Sequence, residues 1–214
     1  AGALRSSLTI ELSDCQWTLW ASDIHFTGQT PLTNNLPLAI KRELLSLAAE
    51  PPESIVIGGD VLTDYASAFG YGGYTSYGSV EVAKANAIMP KFQNLAALRC
   101  ILGNHDTAWD EVPTGTYIAA QCPSWYNGHH HSWKVGGIHC VAISTSHDAG
   151  TEVSGARAYL EAFFDAITDT LPVMIYVHQP MLASRAQETG VREGLIKAIP
   201  AGFTNEITLV GGHQ

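Results

Sequence analysis

Short apolar runs recur along the chain, at Trp17 to Ala21, Ser54 to Ile57, Leu98 to Leu102, His139 to Ser144, Val173 to Val177 and Ile207 to Val210. Each reads as a buried strand. Between several of them lie stretches with helical spacing and good helix formers, at Leu38 to Ala49, Val80 to Ala97, Ala156 to Ile167 and Arg185 to Ile199. Pro90 should kink or divide the second of these helices. The alternation predicts one α/β domain with a substantially parallel sheet, right-handed crossovers, and functional groups on loops at the carboxyl ends of strands. The segment from Ser67 to Val80 is rich in Gly, Ser and Tyr and breaks the pattern; it reads as a long loop, either a flap or a surface insertion.

Composition narrows the function classes. A chain of 214 residues with 46% apolar content can bury a full core without staples. The net charge of -9, with only 11 Lys and Arg, leaves no basic footprint for a nucleic-acid backbone. That acidity does not exclude a small phosphate ester, because bound divalent cations would invert the local charge. No apolar run approaches the roughly 18 residues of a membrane span, so no membrane span is expected. The start at Ala1 carries no charged leader and no apolar segment, which fits a cytoplasmic protein or one whose signal peptide has been removed. Cys15, Cys100, Cys122 and Cys140 are widely spaced and form no Cys-x-x-Cys, which tilts the reading towards a secreted or periplasmic protein. They read either as disulfide partners or as small buried hydrophobes.

The chemistry lies just past the strand ends. The first strand leads into Asp23-Ile24-His25, the second into Gly58-Gly59-Asp60, the third into Gly103-Asn104-His105-Asp106. The fifth leads into His178-Gln179-Pro180, and the sixth into Gly211-Gly212-His213-Gln214. An isolated His beside a strand is usually a hydrogen-bonded surface or core residue. Five strand ends of one sheet that each deliver oxygen or imidazole groups to one edge are another matter, and the coincidence points to a metal site. Carboxylate, amide oxygen and imidazole together suit Mn, Fe, Zn or Co; calcium would take oxygen alone and structural zinc would favour Cys. The glycines before Asp60, Asn104 and His213 let the backbone turn sharply and approach ions closely.

In order, Asp-x-His, Gly-Asp, Gly-Asn-His-Asp, a later His and a closing Gly-His resemble the motifs of the calcineurin-like metallophosphoesterases, over almost the whole chain from Asp23 to Gln214. The resemblance implies a sandwich of two mixed β-sheets flanked by helices, holding two divalent transition-metal ions. It implies Asp23 and His25 on the first metal, Asp60 bridging, and Asn104, His178 and His213 on the second. It further implies that His105 binds the phosphoryl oxygen or protonates the leaving group, with Asp106 orienting it and Asn104 also near the substrate. The expected reaction is hydrolysis of a phosphate ester by a hydroxide held between the metals. The Gly-Asn-His-Asp form is similar to that of cyclic-nucleotide and glycerophosphodiester phosphodiesterases, which favours a diester. The family motif closes with a second His, where this sequence stops at Gln214. The expectation is a single domain truncated at its C-terminus, whose first metal would bind weakly without that imidazole. The alternative is a ligand-binding or regulatory module with an incomplete, inactive site.

Further residues tempt. Asp64 reads as a helix cap or solvent-facing group rather than a support behind the metals. His129, His130 and His131 resemble a metal tract, but neighbours in an extended segment point to opposite sides; a loop role is expected. His147 lies just past the fourth strand at the ligand edge and is a candidate for substrate contact, whereas His139 begins that strand and should sit at its far end.

Overall fold

The apolar runs are strands, and the structure, a computed structural model, describes residues 17–22, 24, 52–61, 74–103, 106, 124–126, 128–144, 155–178 and 196–212. In chain order the elements are β1 (Thr18–Ala21), β2 (Ser54–Ile57), α1 (Tyr74–Gln93), β3 (Ala97–Cys100), β4 (His130–Val135), β5 (Ile138–Ile143), α2 (Ala156–Asp165), β6 (Val173–Val177) and β7 (Ile207–Gly211). They form a mixed α/β fold with two sheets, one ordered β1-β2-β3 and the other β4-β5-β6-β7. The first sheet is parallel throughout. In the second, β4 and β5 are antiparallel and β5, β6 and β7 run parallel.

Three differences from the sequence-based expectation have physical causes. The alternation suggested one largely parallel sheet and missed β4, because His130 to Lys134 is mostly polar. Its turn is nonetheless marked: Gly136 and Gly137 have φ of 55° and 77°, the left-handed pair that a two-residue hairpin requires. The His129 to His131 segment is therefore corrected from a loop to the entry of a strand for His130 and His131. The Ser67 to Val80 loop is likewise corrected in part, since α1 starts at Tyr74; residues 67–73 lie outside the described ones. Pro90 does not divide α1, which runs on to Gln93. A proline so near the end costs one N–H donor rather than a run of them. The expected helix at Leu38 to Ala49 lies outside the described residues, and that at Arg185 to Ile199 is described only from 196, where 196–198 are helical.

Alternate strand residues go to different cores, as the two-residue strand period dictates. Ile55 and Ile57 of β2 join Leu98 and Cys100 of β3 and the α1 stripe Val82, Ala85, Met89 and Phe92. Val141 and Ile143 of β5 join Val173, Ile175 and Val177 of β6 and the α2 stripe Ala156, Leu160 and Phe164. A third cluster takes the remaining faces of both sheets: Val56 and Ile101 from the first, Val135, Cys140, Ala142 and Tyr176 from the second. Trp20 of β1 stacks on Tyr176 of β6 at 5.4 Å, and Tyr176 on Trp133 of β4 at 5.5 Å, while Arg99 of β3 covers Trp133 at 4.5 Å. The two sheets therefore meet through this aromatic contact, which fixes their strand ends relative to one another.

Cys100 and Cys140 are buried thiols in these cores, which answers the disulfide question for that pair; Cys15 and Cys122 lie outside the described residues. Among the described residues no helix is long and apolar enough to cross a membrane. Phe164 is buried and meets Phe203 edge to face at 4.9 Å. Phe164→Ala should therefore cost about 3–5 kcal/mol of stability, read as a lower urea midpoint at unchanged slope.

Candidate functional site

The site begins with a backbone turn. Gly58 closes on the first strand, its N–H donating to the Ala21 carbonyl at 2.6 Å. Gly59 then adopts φ 92° and Asp60 φ 51°, two consecutive left-handed residues. Gly enters that region freely and Asp is among the few side chains that tolerate it. The turn buries Asp60, which is 2% exposed, against the end of β3. There a Cβ on Gly103 would stand 2.2 Å from Asp60 Oδ1 and 2.6 Å from Asp60 N, so only glycine fits. A Cβ on Gly59 would stand 2.4 Å from Gly103 N, so the two glycines require each other. The Gly103 N–H donates to Asp106 Oδ2 at 2.9 Å, and Asp106 is itself buried. That bond closes the loop on which Asn104 and His105 stand in sequence.

His178 arrives from the other sheet, at the end of β6, and is fully buried. Its Nδ1–H donates to the Gly58 carbonyl at 2.8 Å, which also accepts from the Ser22 hydroxyl at 3.3 Å. Its Nε2 stands 3.2 Å from Asp60 Oδ2. The Gly212 N–H caps the His178 carbonyl at 2.9 Å and brings the end of β7 alongside. Burial disfavours the imidazolium, but the hydrogen bond and charge of Asp60, the Gly58 carbonyl and Asp106 outweigh it, and the His178 pKa is raised.

Two donors of the kinds a divalent transition metal accepts, an imidazole and a carboxylate, stand together here. With Nδ1–H committed to a backbone carbonyl, the remaining faces of the pair are an imidazole nitrogen and a carboxylate oxygen. Two such atoms at 3.2 Å need a proton or a cation between them. A spacing of 3.2 Å suits either a hydrogen bond between the two or two ligands of one ion. A carbonyl behind the second ring nitrogen is the usual support of a metal-binding histidine. Among the described residues no group of three or more His, Cys, Asp or Glu could hold a metal on its own. Asp23, His25, Asn104, His105, His147 and His213 lie outside the described residues.

One residue at this edge escaped the sequence-based expectation. Ser144 ends the β5 run, next to His178 in the parallel register that pairs Ile143 with Val177, and is fully buried. Its Oγ accepts from the Leu102 N–H at 2.9 Å and its hydroxyl donates to the His129 carbonyl. His129 Nδ1 meets the buried Tyr126 hydroxyl, whose pKa burial raises. A serine ending an apolar strand gives no local signal of this. The neighbouring histidines diverge as expected: His131 Nε2 meets the Cys100 carbonyl at 3.1 Å, whereas the His130 ring packs on Tyr159. His139 lies at the far end of β5, paired with Asp169 at 2.8 Å, also as expected.

No protein-family model and no curated protein matches this chain. Among solved structures it is similar to a protein of unknown function from Aquifex aeolicus, with 12% identity over 91% of this chain and 89% of that one and a TM-score of 0.34. A likeness that loose carries no argument about what this chain does.

Proposed function

We propose that this protein is a metal-dependent phosphoesterase of the calcineurin-like type, acting on small phosphate esters and on diesters ahead of monoesters. The observation that carries the reading is the meeting of Asp60, the Gly103–Asp106 loop and His178 at one edge, from strand ends of two different sheets. In this reading the helix-backed sheets, joined through the third core, are the family's sandwich. Asp23, His25 and Asp60 would hold one ion, and Asp60, Asn104, His178 and His213 a second. Mn, Fe, Zn or Co suits the set. When bound, such ions supply positive charge to the phosphoryl oxygens and lower the pKa of a water molecule.

The chain's own groups do the rest. Asp60 brings negative charge to a buried place where His178 also points, offsetting the repulsion of neighbouring cations. Asp106 holds the loop that carries His105, and His105 gives a proton to the leaving oxygen. His147, four residues past β5 in sequence, would contact the ester.

The test is metal content together with rates on bis(p-nitrophenyl) phosphate and p-nitrophenyl phosphate. The expected result is two transition-metal ions per chain and hydrolysis, faster on the diester, that chelation abolishes and metal restores. A protein that binds no transition metal and cleaves neither ester sinks the proposal. His105→Ala should lower turnover by roughly 10²–10⁴-fold with normal metal content. Its defect should shrink for esters whose leaving groups need no proton. Loss of metal in that variant would instead make His105 a ligand.

A further inference from the structure

We infer that Ser144 is a positioning residue, which holds the Gly103–Asp106 loop of the first sheet against the strand ends of the second; what that loop does in turnover rests on the phosphoesterase reading above. Hydrogen bonds between the two sheets gather at this edge. His178 makes one, from the end of β6 to the Gly58 carbonyl after β2. Ser144 makes a second, from the end of β5 to the Leu102 N–H after β3, and His131 at the start of β4 meets the Cys100 carbonyl beside it.

The second tie is built to be rigid. The Ser144 hydroxyl has one proton, committed to the His129 carbonyl, so its oxygen faces Leu102 as an acceptor. The same carbonyl accepts the Ser144 N–H at 3.1 Å, fastening the residue at both its backbone and its side chain. The Tyr126 hydroxyl bonds to His129, whose carbonyl holds Ser144, and both Ser144 and Leu102 are at most 1% exposed. No water can substitute for a lost bond without opening the core.

The consequence runs through one backbone step. Leu102 precedes Gly103, which lies against Asp60 and donates to Asp106. A shift of Leu102 therefore moves the Gly103 N–H, and with it the contacts of Gly103 to Asp60 and Asp106, relative to His178; Asn104 and His105 follow Gly103 in sequence. Misplacement of about 1 Å in a reacting geometry costs on the order of 10²-fold in rate. Ser144 touches neither ester nor metal in this scheme, so its removal should alter proton delivery more than metal binding.

Two readouts separate this role from simple stability. In Ser144→Ala the Leu102 amide should exchange at least about tenfold faster, whatever the protein catalyses. Turnover of the metal-loaded chain should fall roughly 10- to 100-fold at nearly constant KM. The loss should be larger for methyl phenyl phosphate than for bis(p-nitrophenyl) phosphate, because only the first needs a proton on its leaving oxygen. Ser144→Cys, close in size and a poor acceptor, should behave like Ala; Ser144→Thr, which keeps the hydroxyl, should recover most of the rate. Wild-type Leu102 exchange and turnover in both Ala and Cys variants overturn the role of Ser144 alone. Equal losses on both esters accompanied by metal release overturn it in favour of a purely structural bond. A wild-type chain that cleaves neither ester overturns the phosphoesterase reading and the catalytic part of this inference, while a changed Leu102 exchange rate would still support the tie itself.

Discussion

On the proposed phosphoesterase reading, Asp60→Asn should abolish both turnover and metal binding while leaving the chain folded. The substitution keeps the shape of a side chain that is 2% exposed and sits at φ 51°, a conformation Asn tolerates as well as Asp. What it removes is the negative charge that stands 3.2 Å from His178 Nε2. Cations brought together at this edge would lose the group that offsets their repulsion, and an amide oxygen is a weak replacement for a carboxylate. Metal analysis and ester hydrolysis on the same sample check this; two metals per chain with wild-type rates would mean that the site is misassigned. The metal-free protein offers an independent reading. The Asp60 hydrogen bond and charge hold the His178 pKa above 6.5 against the pull of burial. A histidine raised in the folded state adds stability that is complete below its unfolded value and is lost as the pH rises through the folded one. In Asp60→Asn burial dominates, His178 titrates lower, and that acid-side contribution disappears. An imidazole titration by NMR, and urea midpoints of the metal-free chains across this range, should both show it.

Gly59→Ala and Gly103→Ala should be nearly as damaging, although neither glycine carries a reactive group. At Gly103 a Cβ would fall 2.2 Å from Asp60 Oδ1 and 2.6 Å from Asp60 N, and contacts under 3.0 Å force something to move. The obstacle includes backbone, so the movement takes Asp60 with it. At Gly59 the φ of 92° adds left-handed strain to a Cβ placed 2.4 Å from Gly103 N and 2.9 Å from His178 Nδ1. Strain alone costs an alanine roughly 1–2 kcal/mol, and overpacking adds typically about 1–3 kcal/mol. Turnover should fall by roughly 10²-fold or more, in proportion to the displacement of the carboxylate. Gly202→Ala is the control: it carries the same kind of strain, φ 90°, but nothing lies within 4 Å of the added methyl. It should lose stability by about the strain contribution and, on the same reading, match the wild type in metal binding and rate. If Gly103→Ala matched that control, the close approach of the two loops would not matter to the site.

Much of this arrangement is legible in the chain alone. Strand cores from Ser54 to Ile57 and from Val173 to Val177 coincide with β2 and β6, because a buried strand needs an unbroken apolar run and few other elements do. The polar residue past each run, Asp60 and His178, can be singled out for the same reason: a strand end is where an α/β fold presents chemistry. The paired glycines before Asp60 announce a turn that a side chain would obstruct.

What local pattern could not decide is which strand ends face one another. β4 looks polar, since His130, His131 and Lys134 interrupt it, yet Trp133 is drawn into the stack with Tyr176 that only the second sheet provides. Ser144 is one serine among several until the register of β5 on β6 sets it beside His178 and the packing of the two sheets brings Leu102 to its hydroxyl. Residue types at strand ends are written locally and survive any rearrangement of the chain. Their separations of about 3 Å depend on contacts between residues 42 or 120 positions apart, Ser144 to Leu102 and His178 to Gly58, and those exist only once both sheets have closed on a common core.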